Sequence, residues 1–521
     1  MAKRTSTRRR FLQSAGAGGA ALGLGEIGLL GGLRPVSGAE ARLDPGLVRF
    51  GEDIEPTVRF LEDTPRERIL EEVVARIRKD LSYRELVAGM LLAGIRNIPG
   101  AELASHRNVG GELHSVFTIH SAHLASLASP ERERWWPILW ALDRIKRAQG
   151  RPMRGDGRRR PAWQMNPVDE SAVPRKGKAR EAFVAAMESW DEEAADPAAA
   201  GLARSCGPDE VFELLWQYGA RDYRYIGHKS IFLANGWRTL QYAGWQHAEG
   251  VVRSLARAMT AYFHEQGHPN QTNQLADRSW RQNRKLATTI RAGWQSGKPD
   301  GGAGAAFSAT LRRGSTAEAS EAAVALLNRE IGPQVIWDGV LNGVSELLMT
   351  WPGANMVHAV TTANAVHFAY QTSNSEETQK LLLLQAAAFV PLFRDDLGKG
   401  SRLQNVKQIE WLEPRPLDGG GKGAIEEIFA AVSEDPRAAA EKTLTYLRDQ
   451  GDPQKIIDRA RQLVFLKGDE YHDYKYSSAV LEDVGSISPE HRNRFLAASM
   501  FYLRGSGEPD TDLAKRIQAA V

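Results

Sequence analysis

The amino-acid sequence predicts an all-α protein, a single multi-helical body carrying long irregular loops. Two observations predict it. Several segments place apolar residues at three-to-four spacing with charged residues on the opposite face. Sustained alternation of Val, Ile and Thr, which a sheet requires, is missing. No fixed-period repeat appears either, so a solenoid of identical units is not expected.

The chain begins with an export pattern. Arg8, Arg9 and Arg10 precede Phe11, Leu12 and Gln13, and a weakly apolar Gly/Ala/Leu stretch runs on to Leu33. This is the pattern of a twin-arginine signal, read by the twin-arginine translocase. Glu26 and the many glycines make the stretch too polar for a stable membrane span, which needs about 20 strongly apolar residues. Ala39, Glu40 and Ala41 supply the small residues of a cleavage site, so residues 1–41 are read as signal and 42–521 as one helical domain. The signal carries six basic and two acidic residues, a net of +4, against +3 for the whole chain, which leaves the mature part at about −1. The basic character belongs to the leader, and nothing argues for a nucleic-acid partner. The expected location is periplasmic or exported. With one cysteine, Cys206, no internal disulfide is available there.

Past the leader, helices are expected over Arg66–Lys79, Ser82–Gly94, Trp135–Ala148, Pro208–Tyr218 and Val251–His264. Three stretches read as loops: 151–180, rich in Pro, Gly, Arg and Lys; 295–320, rich in Gly, Ala and Ser; and 414–423, with a glycine triplet. Candidate site residues fall on both sides of every loop, so these are read as excursions from one body.

Nucleotide motifs are missing. Residues 419–423 (GGGKG) lack the Walker spacing and the Ser/Thr after the lysine. No GxGxxG follows a strand and no GxSxG is present. His264, Glu265 and His268 match HExxH, the zinc-peptidase pattern, but Gly267 and Pro269 work against the uninterrupted helix that puts both imidazoles on one face.

Other histidines sit in segments that are otherwise apolar, small or aromatic: 116–128, 225–249, 357–370 and 469–482. Burying several imidazoles is costly unless they share a partner, and a metal ion takes several at once. His120 and His123 lie three apart on one helical face, as do His472 and Lys475. His358 and His367 are nine apart, about 900° of helix, and point to opposite sides, which makes His367 the bystander. An ammonium repels a cation, so Lys475 is neutral, carbamylated, or ion-paired with Asp473 or Glu482 outside the site; spacing favours the last. Tyr225, Trp237, Tyr242 and Trp245 either line an apolar pocket or simply pack between helices, and ordinary packing is favoured.

These segments together resemble the questin oxidase-like family. Ile119-His120-Ser121-Ala122-His123 loosely resembles the family's early Asn-His-Gly-Pro segment. Residues 227–232 (GHKSIF) resemble its His-Pro-x-x-His helix, with Lys229 for the proline and Phe232 for the second histidine. Residues 357–361 (VHAVT) and 470–475 (EYHDYK) resemble its Leu-His-x-Val-Thr helix and its late Asp-x-His-x-x-Lys. The matches fall in family order over most of the chain, from about His114 to Ala498. The resemblance implies an all-helical fold and a mononuclear non-haem Fe(II) centre held by His120, His228, His358, His472 and Lys475, with His123 as the alternative to His120. It implies an oxygenase that uses dioxygen on a small aromatic or quinone-like substrate, with ring opening as the reaction type. Electrons would come from outside, since no nucleotide site is visible. Two other readings stay open: a non-catalytic helical binding protein of the cell envelope, and a zinc metallopeptidase through His264, Glu265 and His268.

Overall fold

Helix starts in this chain are set by short polar side chains placed just ahead of apolar runs. The Ser82 hydroxyl accepts from the Glu85 amide, Asp191 from Ala194, and Asp452 from Gln454. Each satisfies an amide that the helix itself cannot, a contribution of about 1 kcal/mol per cap. The computed structural model describes residues 54–98, 113–150, 164–397, 406–419 and 423–521. The leader expected at 1–41, residues 151–163 of the first loop and the glycines at 420 and 421 lie outside the described residues.

Three helices lead: α1 (Glu55–Asp63), α2 (Arg66–Ile77) and α3 (Tyr83–Asn97). They are followed by α4 (His114–Phe117), α5 (Ile119–Ala128) and α6 (Trp135–Gly150). Next come α7 (Ala179–Ser189), α8 (Glu192–Ser205), α9 (Pro208–Ala220), α10 (His228–Ala243), α11 (Ala248–Thr260) and α12 (Leu275–Ala287). The middle holds α13 (Gly301–Arg313), α14 (Thr316–Asn328), α15 (Pro333–Thr350), α16 (Ala354–Thr372) and α17 (Glu376–Leu397). The chain closes with α18 (Ala424–Glu434), α19 (Pro436–Arg448), α20 (Pro453–Lys467), α21 (Tyr471–Asp483), α22 (Pro489–Ala498) and α23 (Asp512–Ala520). The fold is all-α, as the periodicity predicts. Among the described residues the only β pairing is an isolated bridge between Lys298 and Ile331. None of the described helices is long and apolar enough to cross a membrane.

The predicted helices are present with shifted ends. The stretch at 295–320 corrects the loop expected there: it holds all of α13 and the first turn of α14. Its glycines cluster at the very start of α13, where Asp300 caps the Ala303 amide. Farther on, Ser315 and Glu318 cap each other's backbone in a reciprocal box. Alanines fill the interior, Phe307 and Leu311 are buried, and Phe307 packs against Gly339 of α15. Two caps and alanine propensity outweigh a glycine-rich composition. The expectation at 414–423 fits the residues that are described, which are irregular up to 419.

One continuous cluster of buried apolar side chains runs from Val58 to Val521. At its centre lies α16, where every residue from Met356 to Ala369 is buried. A helix buried on all sides needs no polar face, which explains its composition. Around it, α4–α5, α10 and α21 all run in the same direction as α16. His228 meets His358 near the starts of α10 and α16, and Arg238 meets Asn364 farther along both. His358 lies against His472, and Asn364 bonds Asp483. His114 meets Lys475, and Ser121 bonds Ser478. Parallel helices cannot be joined by short turns, and the other helices of the chain supply the long returns.

Candidate metal centre

The common direction of this quartet brings its N-terminal ends together, and each end carries an imidazole. His114 opens α4, His228 opens α10, His358 lies in the first turns of α16, and His472 is the second residue of α21. The nitrogens that His114, His228 and His358 can offer to a metal all lie within 4.8 Å of one another. The His228 and His358 Nε2 atoms are 2.8 Å apart. His472 stands at the edge, its ring centre 4.9 Å from that of His358 and 5.7 Å from that of His114.

Backbone geometry aims His228. Tyr225, Ile226 and Gly227 all have positive φ, at 58°, 50° and 84°. Such a run is strained for side-chain-bearing residues and persists only where surrounding structure enforces it. At Gly227 the left-handed turn coincides with a close approach to α16, where an added Cβ would fall on the Thr362 hydroxyl. His358 is aimed differently: its Nδ1 donates to the Ala354 carbonyl at 2.7 Å, which turns Nε2 with its lone pair toward the cluster.

No carboxylate lies among the three buried imidazoles. Burial, and then the neighbouring Lys475, hold His114, His228 and His358 well below the usual histidine range. His472 is lowered to about 4 by the same two causes in the same order. Burial alone pushes the Lys475 ammonium well below the usual lysine range. Its Nζ lies 2.8 Å from His114 Nδ1. The ion pair that spacing favours does not form: Asp473 bonds Arg504, and Glu482 bonds Arg238. The positive ends of α10, α16 and α21 also point here, which further disfavours protonation. At the rim, His472 Nδ1 meets the exposed Glu470 carboxylate at 3.2 Å.

Of the residues nominated from sequence, His228, His358, His472 and Lys475 come together. His120 and His123 do not, and His114 takes the place expected of His120. His120 lies in α5, six residues beyond His114, with Tyr242 stacked 6.2 Å away and Arg238, His123 and Arg461 as its charged or titratable neighbours. His123 bonds the Tyr83 hydroxyl at 2.9 Å and stacks on Tyr242. Both are carried away from the N-terminal end by the rise of the helix. A signal for His114 was present: Gly111, Gly227, Gly353 and Gly468 each stand one to five residues before a cluster histidine, marking a helix start, and His120 has no such marker.

His367 lies apart, against Trp337 and Tyr370, as its spacing from His358 predicts. The aromatic set also divides. Trp237 and Trp245 pack on Phe212 and Tyr225 on Phe263, leaving Tyr242 beside the buried histidines. The HExxH segment is not a helix of the kind a zinc peptidase needs. His264–Gln266 is a single 3-10 turn, Gly267 has φ of 81°, and His268 meets the Ser189 carbonyl.

Compared with known proteins, the chain matches no family model, no curated protein and no solved structure.

Buried imidazoles, beside a lysine whose protonation burial disfavours and with no carboxylate among the three rings, form a donor set suited to zinc, copper, iron or nickel rather than magnesium or calcium.

Proposed function

We propose that this chain is a metal-dependent oxygenase, with His114, His228 and His358 holding iron as Fe(II) and with dioxygen and an aromatic or quinone-like molecule as its substrates. What carries the reading is the convergence of three buried imidazoles from three separate helices, with a fourth at the edge. The questin oxidase-like resemblance of the segments around His228, His358 and His472 supports iron over the other metals. Bound iron would supply the activation of dioxygen, which organic side chains cannot perform.

The chain's own residues do the rest. Ala354 and the left-handed turn at Gly227 orient two of the rings. The neutral shell leaves the charge of a bound cation uncompensated, which favours oxygen ligands and anionic substrate groups at an open position. Lys475, buried beside His114 where its charged form is disfavoured, is placed to hydrogen-bond such a ligand. Burial keeps bulk water from the centre. The twin-arginine pattern is read as sending the chain out of the cytoplasm already folded.

Elemental analysis of protein folded in the cytoplasm and purified without chelator tests the proposal. One iron per chain is expected, lost in His114→Ala, His228→Ala and His358→Ala and kept in His120→Ala. Protein that is metal-free after folding in iron-replete cells would overturn it and leave a helical binding protein. Zinc lost in His264→Ala would instead restore the peptidase.

A further inference from the structure

Helix α16 carries a row of small and branched side chains beside His358. Ala359, Thr362 and Val366 follow one another at steps of three and four and share one face. His358 stands at the edge of that face, one turn or about 6 Å before Thr362.

This face does not close on its neighbours. With Val344 of α15 and Ala386 and Val390 of α17 it surrounds a cavity. All six residues are buried. Alanines at 359 and 386 are too small to fill the gap between three helices, and Pro391 interrupts the α17 ladder beside Val390. The space admits one body of about water size.

Water is not the molecule that suits it. A buried water makes about three hydrogen bonds. Among the described residues around the cavity, Thr362 alone has a polar side chain, and its hydroxyl donates to the Ile226 carbonyl at 3.4 Å. The lining backbone lies inside helices, whose amides and carbonyls bond one another. No charged side chain borders the space among the described residues, so an ion finds no partner there. Apolar cavities of this kind stay dry and take apolar atoms or small apolar molecules.

Thr362 ties the cavity to the imidazole cluster. Its side chain lines the space, bonds Ile226 and packs on Gly227, which directly precedes His228. Cavity and cluster are therefore neighbours both along α16 and through this turn. We propose that the cavity is a dioxygen site, holding one gas molecule about one helical turn from the imidazoles. That the gas is dioxygen rests on the oxygenase reading; that the cavity takes a small apolar molecule does not.

Methyl NMR of the full chain under dioxygen, compared with dinitrogen, tests this, because paramagnetic dioxygen broadens the methyl signals it touches. The chain is loaded with zinc, which does not react with the gas, and metal content is measured on the same samples. The Val344 and Val390 methyls are expected to broaden at least five-fold more than those of Val58, a similarly buried residue of α1 outside the cavity. Ala386→Leu, which fills the space, should bring both down to the level of Val58. Val390→Ala, which enlarges it, should raise the broadening at Val344, and it probes the same site if Ala386→Leu does not fold. Equal broadening at Val344, Val390 and Val58 in the wild-type chain, or broadening that neither variant changes, would overturn the site. In the ferrous chain, Ala386→Leu should slow oxidation of the iron by dilute dioxygen at least three-fold; an unchanged rate would overturn its service to the centre. A chain that binds no metal yet shows the broadening would end the oxygenase reading and leave the gas site standing.

Discussion

His367 shares α16 with His358 but has a different physical role. Burial, and then Arg238, lower it to about 3. An unfolded chain protonates this imidazole near pH 6.5, and the folded chain does not until about pH 3. The unfolded state therefore binds more protons throughout that window, and stability falls as pH falls across it. Between pH 6.5 and 5 the loss from this residue alone is about 2 kcal/mol. His367→Gln, which cannot protonate, should flatten that part of the acid limb in urea unfolding measured against pH; an unchanged limb would assign it to other groups. The same residue shows what spacing reveals. Its nine-residue offset from His358 placed it outside the cluster, because helix geometry is regular. The choice between His114 and His120 was not legible in that way. Both lie in apolar surroundings, and only the position of the helix start, decided by chain ahead of His114, separates them.

At the level of elements, two short stretches govern large consequences. The left-handed run before α10 sets the direction of His228, and Gly227 is its least replaceable member. Gly227→Ala adds strain at positive φ and a collision with Thr362. A loss of about 1–3 kcal/mol is expected from the backbone alone, together with at least ten-fold weaker metal binding. Adding Thr362→Ala should recover part of the stability and not all of it, since the φ penalty remains; full recovery would show that steric contact was the whole cost. The second stretch is the start of α14. Ser315→Ala removes one half of a capping box and should cost about 1 kcal/mol in chemical unfolding. This same box explains why glycine-rich composition misled at 295–320. Composition averages over a window, whereas a cap acts at one residue, and Asp300 and Ser315 each stand where a cap is needed.

Across the whole molecule, the all-α class followed from periodicity because amphipathic helices repeat their signal every turn. The arrangement of those helices did not, since sequence pattern carries no record of which helices run parallel. If the centre holds metal, removing it with chelator should lower the melting temperature. A ligand present at a thousand times its dissociation constant stabilises the native state by about 4 kcal/mol. Equal melting with and without chelator would show that the cluster is satisfied by hydrogen bonds alone.

The parallel quartet also has a kinetic meaning. Its histidines stand at 114, 228, 358 and 472, so successive members are separated by 114, 130 and 114 residues. Contacts so remote in the chain form late, because the entropy of closing each long segment must be met before any of them is rewarded. A ribosome-bound chain that has not yet released α21 holds at most three of the four rings, and no proteolytic fragment of half the length can hold all four. The four rings can therefore meet only after α21 has joined the three helices made before it.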